Sequence, residues 1–335
     1  MAGSKLLRGR VSHRGAGRPA VREYRGRPVH GSRHAFAPGP RRLARGRRSL
    51  VVTRYAEVIG DPIIQSKSPV IHGFWIEKLG LDAEYRATHV TADRLREYIT
   101  RGREDPDWRG CNVTMPHKQA IMPILDRLEP LAKRVGAVNT VVKGPDGRLI
   151  GRNTDVAGFL GPLTDRLRNQ HYFRMARVLG TGGAARAIVA GLAGAGFTLV
   201  LAGRDPDKAR ALLEELDPGK EHHVALLDHF AQATDFAFDD RQGCCDLIVN
   251  ATPLGMRGQP PLAFDWSHAP PGSVAYDIVT DPVDTPFLKD ARVAGFETID
   301  GLGMLIGQAA AAFTYFFGVE PPREHDAELR ERLTA

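Results

Sequence analysis

The sequence has little cysteine, and that scarcity excludes two kinds of protein. Of its three cysteines, Cys244 and Cys245 are adjacent and Cys111 stands alone. A disulfide framework and a zinc ribbon both need separated cysteines in suitable numbers, so neither is expected. The histidine-rich stretch 222–229 is typical of a solvated connection rather than of a ligand set, and we predict no bound metal.

Long apolar runs are also missing. No segment approaches the roughly 20 apolar residues that a membrane-spanning helix needs, and the N-terminus lacks the apolar core of a secretory signal. Together with the cysteine usage, these absences predict a cytoplasmic protein that contacts no membrane. A hydrophobic content of 42% and a charged content of 25% are ordinary for a globular chain, and 335 residues leave room for two domains.

Acidic residues are almost absent from residues 1–50. This segment contains thirteen Arg and Lys5 against Glu23 alone, a net charge of +13 in a chain that totals +7, so the other 285 residues carry −6. Nucleic-acid binding by the folded body is therefore not predicted. The segment is rich in Arg, Gly, Pro and Ala without an apolar period, and we expect a disordered basic tail because it buries too little surface to offset its ordering entropy.

Three origins of this basic tail remain open. It could be an organelle-targeting peptide, an arm for nucleic acid or a membrane surface, or upstream sequence translated in error before a start near residues 50–52. We favour the third, because Gly and Pro interrupt the amphipathic helix that a transit peptide presents. The native protein would then lack the tail, and its intact mass would show this.

From residue 53 onward, short apolar strands alternate with helical segments. This alternation predicts an α/β protein whose functional loops lie at the carboxyl ends of its strands. Apolar periodicity predicts helices over residues 187–195 and 304–317, and the strand 138–142 is expected to pair with 149–151 across a glycine-containing turn.

A strand, a glycine turn, an apolar helix and a second strand follow one another over residues 177–202. The glycines Gly180, Gly182 and Gly183 allow a tight turn and let backbone N–H groups approach a pyrophosphate at the start of the helix. Ala185 replaces the third glycine of the G-x-G-x-x-G pattern, so the spacing alone is weak evidence. The flanking strand and helix supply the context that predicts a dinucleotide site.

The charges just after the second strand of this unit bear on which dinucleotide is bound. Arg204 and Lys208 can pair with the 2′-phosphate of NADP, whereas a carboxylate at this place would accept from the free 2′-hydroxyl of NAD. Asp205 keeps NAD possible. We predict NADP, with NAD less favoured.

Polar side chains cluster at strand ends and in turns before the glycine loop. The clusters are Ser66-Lys67-Ser68-Pro69, Asn112-Val113-Thr114-Met115-Pro116-His117-Lys118, Asn139-Thr140 and Asn153-Thr154-Asp155, and Gln308 is a further polar residue within an apolar helix. Amide, hydroxyl, amine and carboxylate groups so placed indicate a site for a small polyhydroxylated acid.

The order of these clusters resembles the shikimate dehydrogenase family. The family's pattern of S-K-S-P, N-V-T-x-P-H-K, G-A-x-N-T, N-T-D, a glycine loop and a late Gly-Met…Gln stands here as Ser66–Pro69, Asn112–Lys118, Gly136–Thr140, Asn153–Asp155, Gly180–Ala185 and Gly303-Met304…Gln308. The resemblance spans about residues 55–318. It implies reversible NADP-dependent reduction of 3-dehydroshikimate to shikimate, on the pathway to aromatic amino acids (chorismate biosynthesis).

The resemblance also implies a two-domain α/β fold. A Rossmann-type domain for NADP is expected over residues 155–300, and a mixed α/β substrate domain over 51–154, completed by 301–335. The active site would lie in the cleft between them.

Two side chains are expected to carry the proton chemistry. Oxidation of a secondary alcohol removes the hydroxyl proton as hydride leaves, so a proton-transfer group must lie beside the reacting oxygen. The resemblance implies Lys118 and Asp155 as this catalytic pair, with Lys118 donating or relaying the proton and Asp155 orienting it. His117, which chemistry alone would suggest as base, is interpreted as structural.

The remaining expected contacts fall into two sets. The substrate is expected to contact Ser66, Ser68, Asn112, Thr114, Asn139 and Gln308, with the two serines holding its carboxylate. The cofactor is expected to contact Gly180, Gly182, Gly183, Ala184, Arg204, Lys208, Thr252, Ile278 and Gly301.

One departure from the family pattern leaves alternatives open. Where the family commonly has a substrate-contacting Tyr in Y-D-x-x-Y-x-P, this chain has Thr280, whose shorter side chain leaves room for a quinate-like or amino-substituted analogue. An NAD-dependent quinate/shikimate dehydrogenase is thus the nearest rival. A ligand-sensing regulator on a retired dehydrogenase fold is a remote one, and the chain is expected to be a monomer or homodimer with a small-molecule substrate.

Overall fold

The computed structural model describes residues 53–239 and 241–335. The expectations about the basic tail of residues 1–50 and about a start near 50–52 concern residues outside the described ranges.

The strands are β1 (Arg54–Gly60), β2 (Ala83–His89), β3 (Trp108–Val113), β4 (Arg127–Leu128), β5 (Thr140–Lys143), β6 (Leu149–Arg152), β7 (Arg174–Leu179), β8 (Thr198–Gly203), β9 (His223–Leu226), β10 (Cys245–Asn250), β11 (Val274–Asp277) and β12 (Glu297–Ile299). The α-helices are α1 (Ser68–Leu79), α2 (Leu95–Glu104), α3 (His117–Ala120), α4 (Pro130–Val135), α5 (Asp155–Leu160), α6 (Thr164–Arg168), α7 (Gly183–Gly194), α8 (Pro206–Leu216), α9 (Pro286–Val293), α10 (Gly301–Phe317) and α11 (Asp326–Thr334).

The strands form two six-stranded sheets, which confirms the predicted α/β class. The first sheet has the order β2-β1-β3-β5-β6-β4 and is mixed, since β3, β5 and β6 pair antiparallel while the other pairs are parallel. The predicted hairpin is present, with Val141 opposite Gly151 and Val142 opposite Ile150. Its turn closes through Gly147, whose φ of 76° lies in the region that glycine tolerates best.

The second sheet has the order β12-β11-β10-β7-β8-β9 and is parallel throughout. Counted from β7, this is the 3-2-1-4-5-6 order of the Rossmann fold. The six residues of β10 are all buried, as expected for a central strand covered by helices on both faces. The strand order reverses between β7 and β10, so the fold places its ligand crevice at the carboxyl ends of these two strands.

Two predicted helices begin three or four residues earlier in the structure than their apolar pattern suggests. Helix α7 begins at Gly183 and α10 at Gly301, against predicted starts at residues 187 and 304. Glycine has poor helix propensity, so the pattern hides such starts. The side chain of Asp300 caps α10 by accepting from the N–H of Leu302 at 2.9 Å, and this cap fixes the true start.

Helix α10 packs against both sheets and against α5. A Cβ at Gly158 of α5 would lie 2.7 Å from the carbonyl oxygen of Met304, so glycine lets these two helices cross at close range. Met304 belongs to the core of the second sheet, whereas Phe313 packs with α1 and α11 and Phe316 packs on β1 of the first. None of the helices within the described ranges combines the length and apolarity that crossing a membrane requires.

The buried ring of His72 on α1 predicts an acid-sensitive contribution to stability. Neither of its nitrogens has a hydrogen-bond partner among the described residues, and burial lowers its pKa to about 3. The pKa of histidine in an unfolded chain is near 6.5. As pH falls below that value, the unfolded state therefore binds a proton that the folded state does not bind. This contribution is present above pH 6.5 and is lost progressively towards pH 3.

We expect His72→Phe to remove this acid sensitivity while keeping an aromatic ring in place. Between pH 7 and pH 5, the free energy of unfolding of the wild type should fall by about 2 kcal/mol more than that of the variant. Urea unfolding at both pH values measures the difference. Equal pH slopes for the two proteins would contradict the assignment, and His89→Phe, at an exposed histidine, is the control.

Candidate active site

A cavity of about 390 Å³ opens where the carboxyl ends of the two sheets face each other. From the first sheet, its wall includes the loops after β1 and β3. From the second, it includes the start of α7 and the loop after β11. Twelve of the predicted site residues line it: Ser66, Ser68, Asn112, Thr114, Lys118, Asn139, Asp155, Gly183, Ala184, Ile278, Gly301 and Gln308.

The predicted catalytic pair is in direct contact within this cavity. The ammonium group of Lys118, at the start of α3, donates to Oδ2 of Asp155, the first residue of α5, at 2.6 Å. The two side chains are 17% and 8% exposed, so bulk water is largely excluded from the pair while the cavity still reaches it. Charge-assisted hydrogen bonds of this length are among the stronger ones, and this one fixes where the amine points.

A second set of hydrogen bonds fixes the carboxylate of Asp155. Its Oδ1 accepts from Nδ2 of Asn139 at 2.9 Å, so each oxygen of the carboxylate has its own donor. Oδ1 of Asn153 accepts from the backbone N–H groups of Asp155 and Val156 and holds the start of α5 in place. The N-T-D motif therefore places the acid, and Asn139 selects its rotamer.

Asn112 is held by three hydrogen bonds, all to the protein. Its Nδ2 donates to the carbonyl oxygen of Asn139 at 3.3 Å and to Oγ1 of Thr140 at 3.0 Å, and its Oδ1 accepts from the hydroxyl of Tyr85 at 2.6 Å. Both amide hydrogens are thus used. Oδ1 of Asn112 still has a second lone pair, which can accept a hydrogen bond from a substrate hydroxyl.

His117 is turned away from the cavity. Its ring is buried, and Nε2 lies 2.6 Å from the carbonyl oxygen of Val90. A carbonyl only accepts, so Nε2 carries the hydrogen and the ring is a donor at that atom. This geometry agrees with the interpretation of His117 as structural, and it leaves Lys118 as the basic side chain of the motif that faces the cavity.

The glycine loop lies at the switch point of the second sheet. Gly180 has a φ of 120°, and a Cβ there would lie 2.8 Å from the carbonyl oxygen of Ala251. By contrast, a Cβ at Gly182 or Gly183 would meet nothing within 4 Å. Open space in front of the N-terminus of the twelve-residue helix α7 fits a phosphate group, which the free N–H groups and the helix dipole would bind.

Two further predicted cofactor positions, Thr252 and Gly301, shape the loops in which they lie. Thr252 is held in its own loop, since Oγ1 donates to Oδ1 of Asn250 at 2.7 Å and accepts from the N–H of Leu254 at 3.1 Å. At Gly301 a Cβ would clash with the carbonyl oxygens of Ile278 and Val279. Glycine there lets α10 start directly against the loop that follows β11.

Arg204 and Lys208 are exposed beyond the end of β8, next to the glycine loop. Asp205 between them is the N-cap of α8, and its Oδ1 accepts from the N–H groups of Asp207 at 3.0 Å and Lys208 at 3.1 Å. The sequence interpretation treated this carboxylate as a possible partner of a ribose hydroxyl and missed its capping role. Capping engages Oδ1 of this carboxylate, and the exposed side chains of Arg204 and Lys208 stand on either side of it in the chain.

Two residues that the sequence analysis did not assign to the site bear directly on it. Lys67 lines the cavity, and its amine donates to the carbonyl oxygens of Thr280 at 2.9 Å and Leu333 at 2.8 Å. Tyr85 lies behind Asn112. Lys67 lies within the polar motif Ser66–Pro69, which could have drawn attention to it. Tyr85 lies in an ordinary strand, and nothing in the local sequence indicates a role in the site.

Comparisons with known proteins agree with this geometry. A family model described as the shikimate dehydrogenase substrate binding domain matches residues 58–141, and one described as the shikimate 5′-dehydrogenase C-terminal domain matches residues 301–328. A shikimate dehydrogenase (NADP(+)) of Sphingopyxis alaskensis is 48% identical over 282 residues, which are 84% of this chain and 97% of that protein.

Solved structures show the same similarity. The shikimate 5-dehydrogenase of Thermus thermophilus, solved in complex with NADP(H) and shikimate, is 33% identical with a TM-score of 0.68, covering 84% of this chain and 99% of that one. The quinate dehydrogenase of Corynebacterium glutamicum, solved in complex with NAD, is 31% identical with a TM-score of 0.67, covering 83% and 98%. Similarity of fold therefore does not by itself separate these two substrates.

Proposed function

The chain belongs to the shikimate dehydrogenase family, and we propose that it catalyses the reversible NADP-dependent reduction of 3-dehydroshikimate to shikimate. It is an oxidoreductase of the shikimate pathway. The observation that carries this function is the 2.6 Å contact between Lys118 and Asp155 in a cavity lined by the predicted polar residues. A ligand-sensing regulator would have no need of an intact proton-transfer pair, and this one is intact.

We propose that Lys118 handles the proton at the C3 oxygen of the substrate. In reduction, its ammonium polarises the C3 carbonyl and gives a proton to the oxygen as hydride arrives at the carbon. In oxidation, the neutral amine takes that proton back. Asp155, held by Asn139, fixes the direction of the Lys118 amine and keeps both groups within reach of one substrate oxygen.

The other polar residues of the cavity would hold the ring. Ser66 and Ser68 line the cavity beside the start of α1, where their two hydroxyls would donate to the substrate carboxylate. Asn112, Thr114 and Gln308, which also line the cavity, would contact the ring hydroxyls. Nε2 of Gln308 donates to the carbonyl oxygen of Leu305 at 3.1 Å, and its Oε1 accepts weakly from Nδ2 of Asn139 at 3.4 Å, so Oε1 is the atom that would accept from a ligand.

The glycine loop and the cations after β8 fit NADP. The open N-terminus of α7 would hold the pyrophosphate, with Gly180, Gly182, Gly183 and Ala184 forming the turn, and Arg204 with Lys208 would bind the 2′-phosphate. When bound, the nicotinamide supplies or accepts the hydride. Ile278 and Gly301 border the cavity on the nucleotide side, where they would limit the approach of water to the reacting carbon.

Broader assignments of domains, location and partners accompany this function. We propose residues 155–300 as the nucleotide domain and residues 51–154 with 301–335 as the substrate domain, supported by the shared core of Ile71, Phe313 and Leu329. A cytoplasmic location is supported by the free state of all three cysteines. We further propose a monomer or homodimer whose folded body binds no nucleic acid, in keeping with its net negative charge.

A second candidate, a quinate dehydrogenase that uses NAD, is favoured by Thr280, which lines the cavity with a short side chain. Steady-state assays with shikimate and quinate, each with NADP+ and NAD+, separate the two. We expect shikimate with NADP+ to have the highest kcat/KM, by about tenfold or more over each other combination, since one well-formed polar contact discriminates by that factor. A preference for quinate with NAD+ would overturn the first function.

A further inference from the structure

Tyr85 contacts a residue that we propose to hold the substrate. It lies on β2, outside the lining of the cavity, and its hydroxyl donates to Oδ1 of Asn112 at 2.6 Å. Burial raises the pKa of Tyr85 well above its ordinary value. The phenol is therefore protonated at neutral pH and always able to donate.

The orientation of the Asn112 amide follows from its other partners. The carbonyl oxygen of Asn139 can only accept, so the NH2 group of Asn112 must face it. The opposite end, Oδ1, then faces Tyr85, which must donate its hydroxyl hydrogen. The direction of each hydrogen bond is thus fixed by a backbone carbonyl.

A rigid support holds Tyr85 in this position. Its ring stacks on that of His72 with centroids 3.9 Å apart and an interplanar angle of 2°, and it also contacts Phe316 of α10. His72 is fully buried and has no hydrogen-bond partner among the described residues, so it acts here as a flat apolar surface. The phenol can therefore move little without disturbing the junction of α1 and α10.

We infer that Tyr85 is a positioning residue for substrate specificity, which keeps one lone pair of Asn112 Oδ1 aimed into the cavity for a substrate hydroxyl. This inference rests on the proposed function. Tyr85 would act on substrate binding rather than on the proton transfer at Lys118. Without the phenol hydrogen, Oδ1 loses its protein donor and only the two bonds of Nδ2 hold the side chain, so Oδ1 is less firmly aimed at the substrate hydroxyl.

The variant Tyr85→Phe tests this role because it keeps the ring stack and removes the hydroxyl. We expect the KM for shikimate to rise about tenfold, the KM for NADP+ to stay within twofold, and kcat to stay within threefold. An unchanged KM for shikimate would overturn the inference. Thermal unfolding of the same samples shows whether the fold is retained, and calorimetric titration of shikimate measures binding without turnover.

The double variant Tyr85→Phe/Asn112→Ala decides whether Tyr85 acts through Asn112. If it does, adding Tyr85→Phe to Asn112→Ala leaves the KM for shikimate unchanged, whereas independent effects would multiply and overturn the proposed route.

The matched control for Tyr85→Phe is Tyr98→Phe. Tyr98 donates to the buried Glu57 at 2.7 Å, outside the cavity. We expect Tyr98→Phe to leave the KM for shikimate unchanged. If its KM rose as much as that of Tyr85→Phe, the effect would be a general loss of rigidity, and the inference would be overturned. If the wild type did not turn over shikimate, the proposed function itself would be overturned. If the wild type were active and Tyr85→Phe had the same KM for shikimate, only the role of Tyr85 would be overturned.

Discussion

Lys118→Ala is expected to lower kcat for shikimate oxidation by at least about 100-fold, while the KM for shikimate changes far less. The amine lies 2.6 Å from Asp155 inside the cavity, and its proposed contribution is to a proton that moves only in the transition state. General acid–base catalysis contributes roughly 10²–10⁴-fold, and loss of a group that acts in the transition state appears in kcat rather than in KM. Steady-state kinetics with saturating NADP+ gives both constants.

The control for this variant is Lys143→Ala. Lys143 is also half-buried, but its amine donates to the carbonyl oxygens of Gly102 and Asp105, outside the cavity. We expect its kcat to be that of the wild type. Wild-type turnover in Lys118→Ala would remove this lysine from the mechanism, and a large loss in His117→Ala without loss of folding would instead bring the buried histidine back into it.

Removal of the two cations after β8 is expected to change the choice of cofactor. Arg204→Ala should raise the KM for NADP+ about tenfold, and Arg204→Ala/Lys208→Ala about 100-fold, with the KM for NAD+ nearly constant. A hydrogen bond to a charged group contributes about 1.5–3 kcal/mol, and each 1.4 kcal/mol is a factor of ten. Both side chains are exposed, so added salt should weaken NADP+ binding in the wild type more than NAD+ binding.

Arg210→Ala provides the matched control for the cofactor variants. Arg210 is exposed on α8, the helix that also carries Lys208, and it pairs with Asp207 at 2.6 Å. Its loss should leave both cofactors unaffected. An equal rise in the KM for NADP+ in all three variants would mean that general surface charge, rather than a specific phosphate site, attracts the cofactor. A proportional rise for NAD+ would contradict a 2′-phosphate contact.

Part of the candidate site was accessible from the sequence because its chemistry is concentrated in short motifs. Asn112, Lys118 and Asp155 stand within such motifs, and the structure brings all three to one cavity. Tyr85 could not be found in this way. A tyrosine in a strand is a common residue, and its role depends on Asn112, which is 27 residues away in the chain.

The role of Asp205 shows a different limit. From the sequence, its carboxylate beside Arg204 could serve a ribose hydroxyl or begin a helix equally well. The structure assigns it to the N-terminus of α8, because Pro206 starts that helix and the N–H groups of Asp207 and Lys208 need an acceptor. The sequence analysis considered only the ribose role, and the position of the helix after the strand decides that Oδ1 of Asp205 caps α8.

The sequence by itself determined the alternation of strands and helices, the glycine turn after β7 and the residue types of the proton-transfer pair. Each of these depends on neighbours within a few positions, where periodicity, turn residues and motif spacing act directly. The tertiary structure alone decided that Lys67 reaches Thr280, that the carbonyl of Asn139 orients Asn112, and that Gly158 lets α5 and α10 cross. Those contacts join distant segments, and the packing of two sheets around α10 sets their distances.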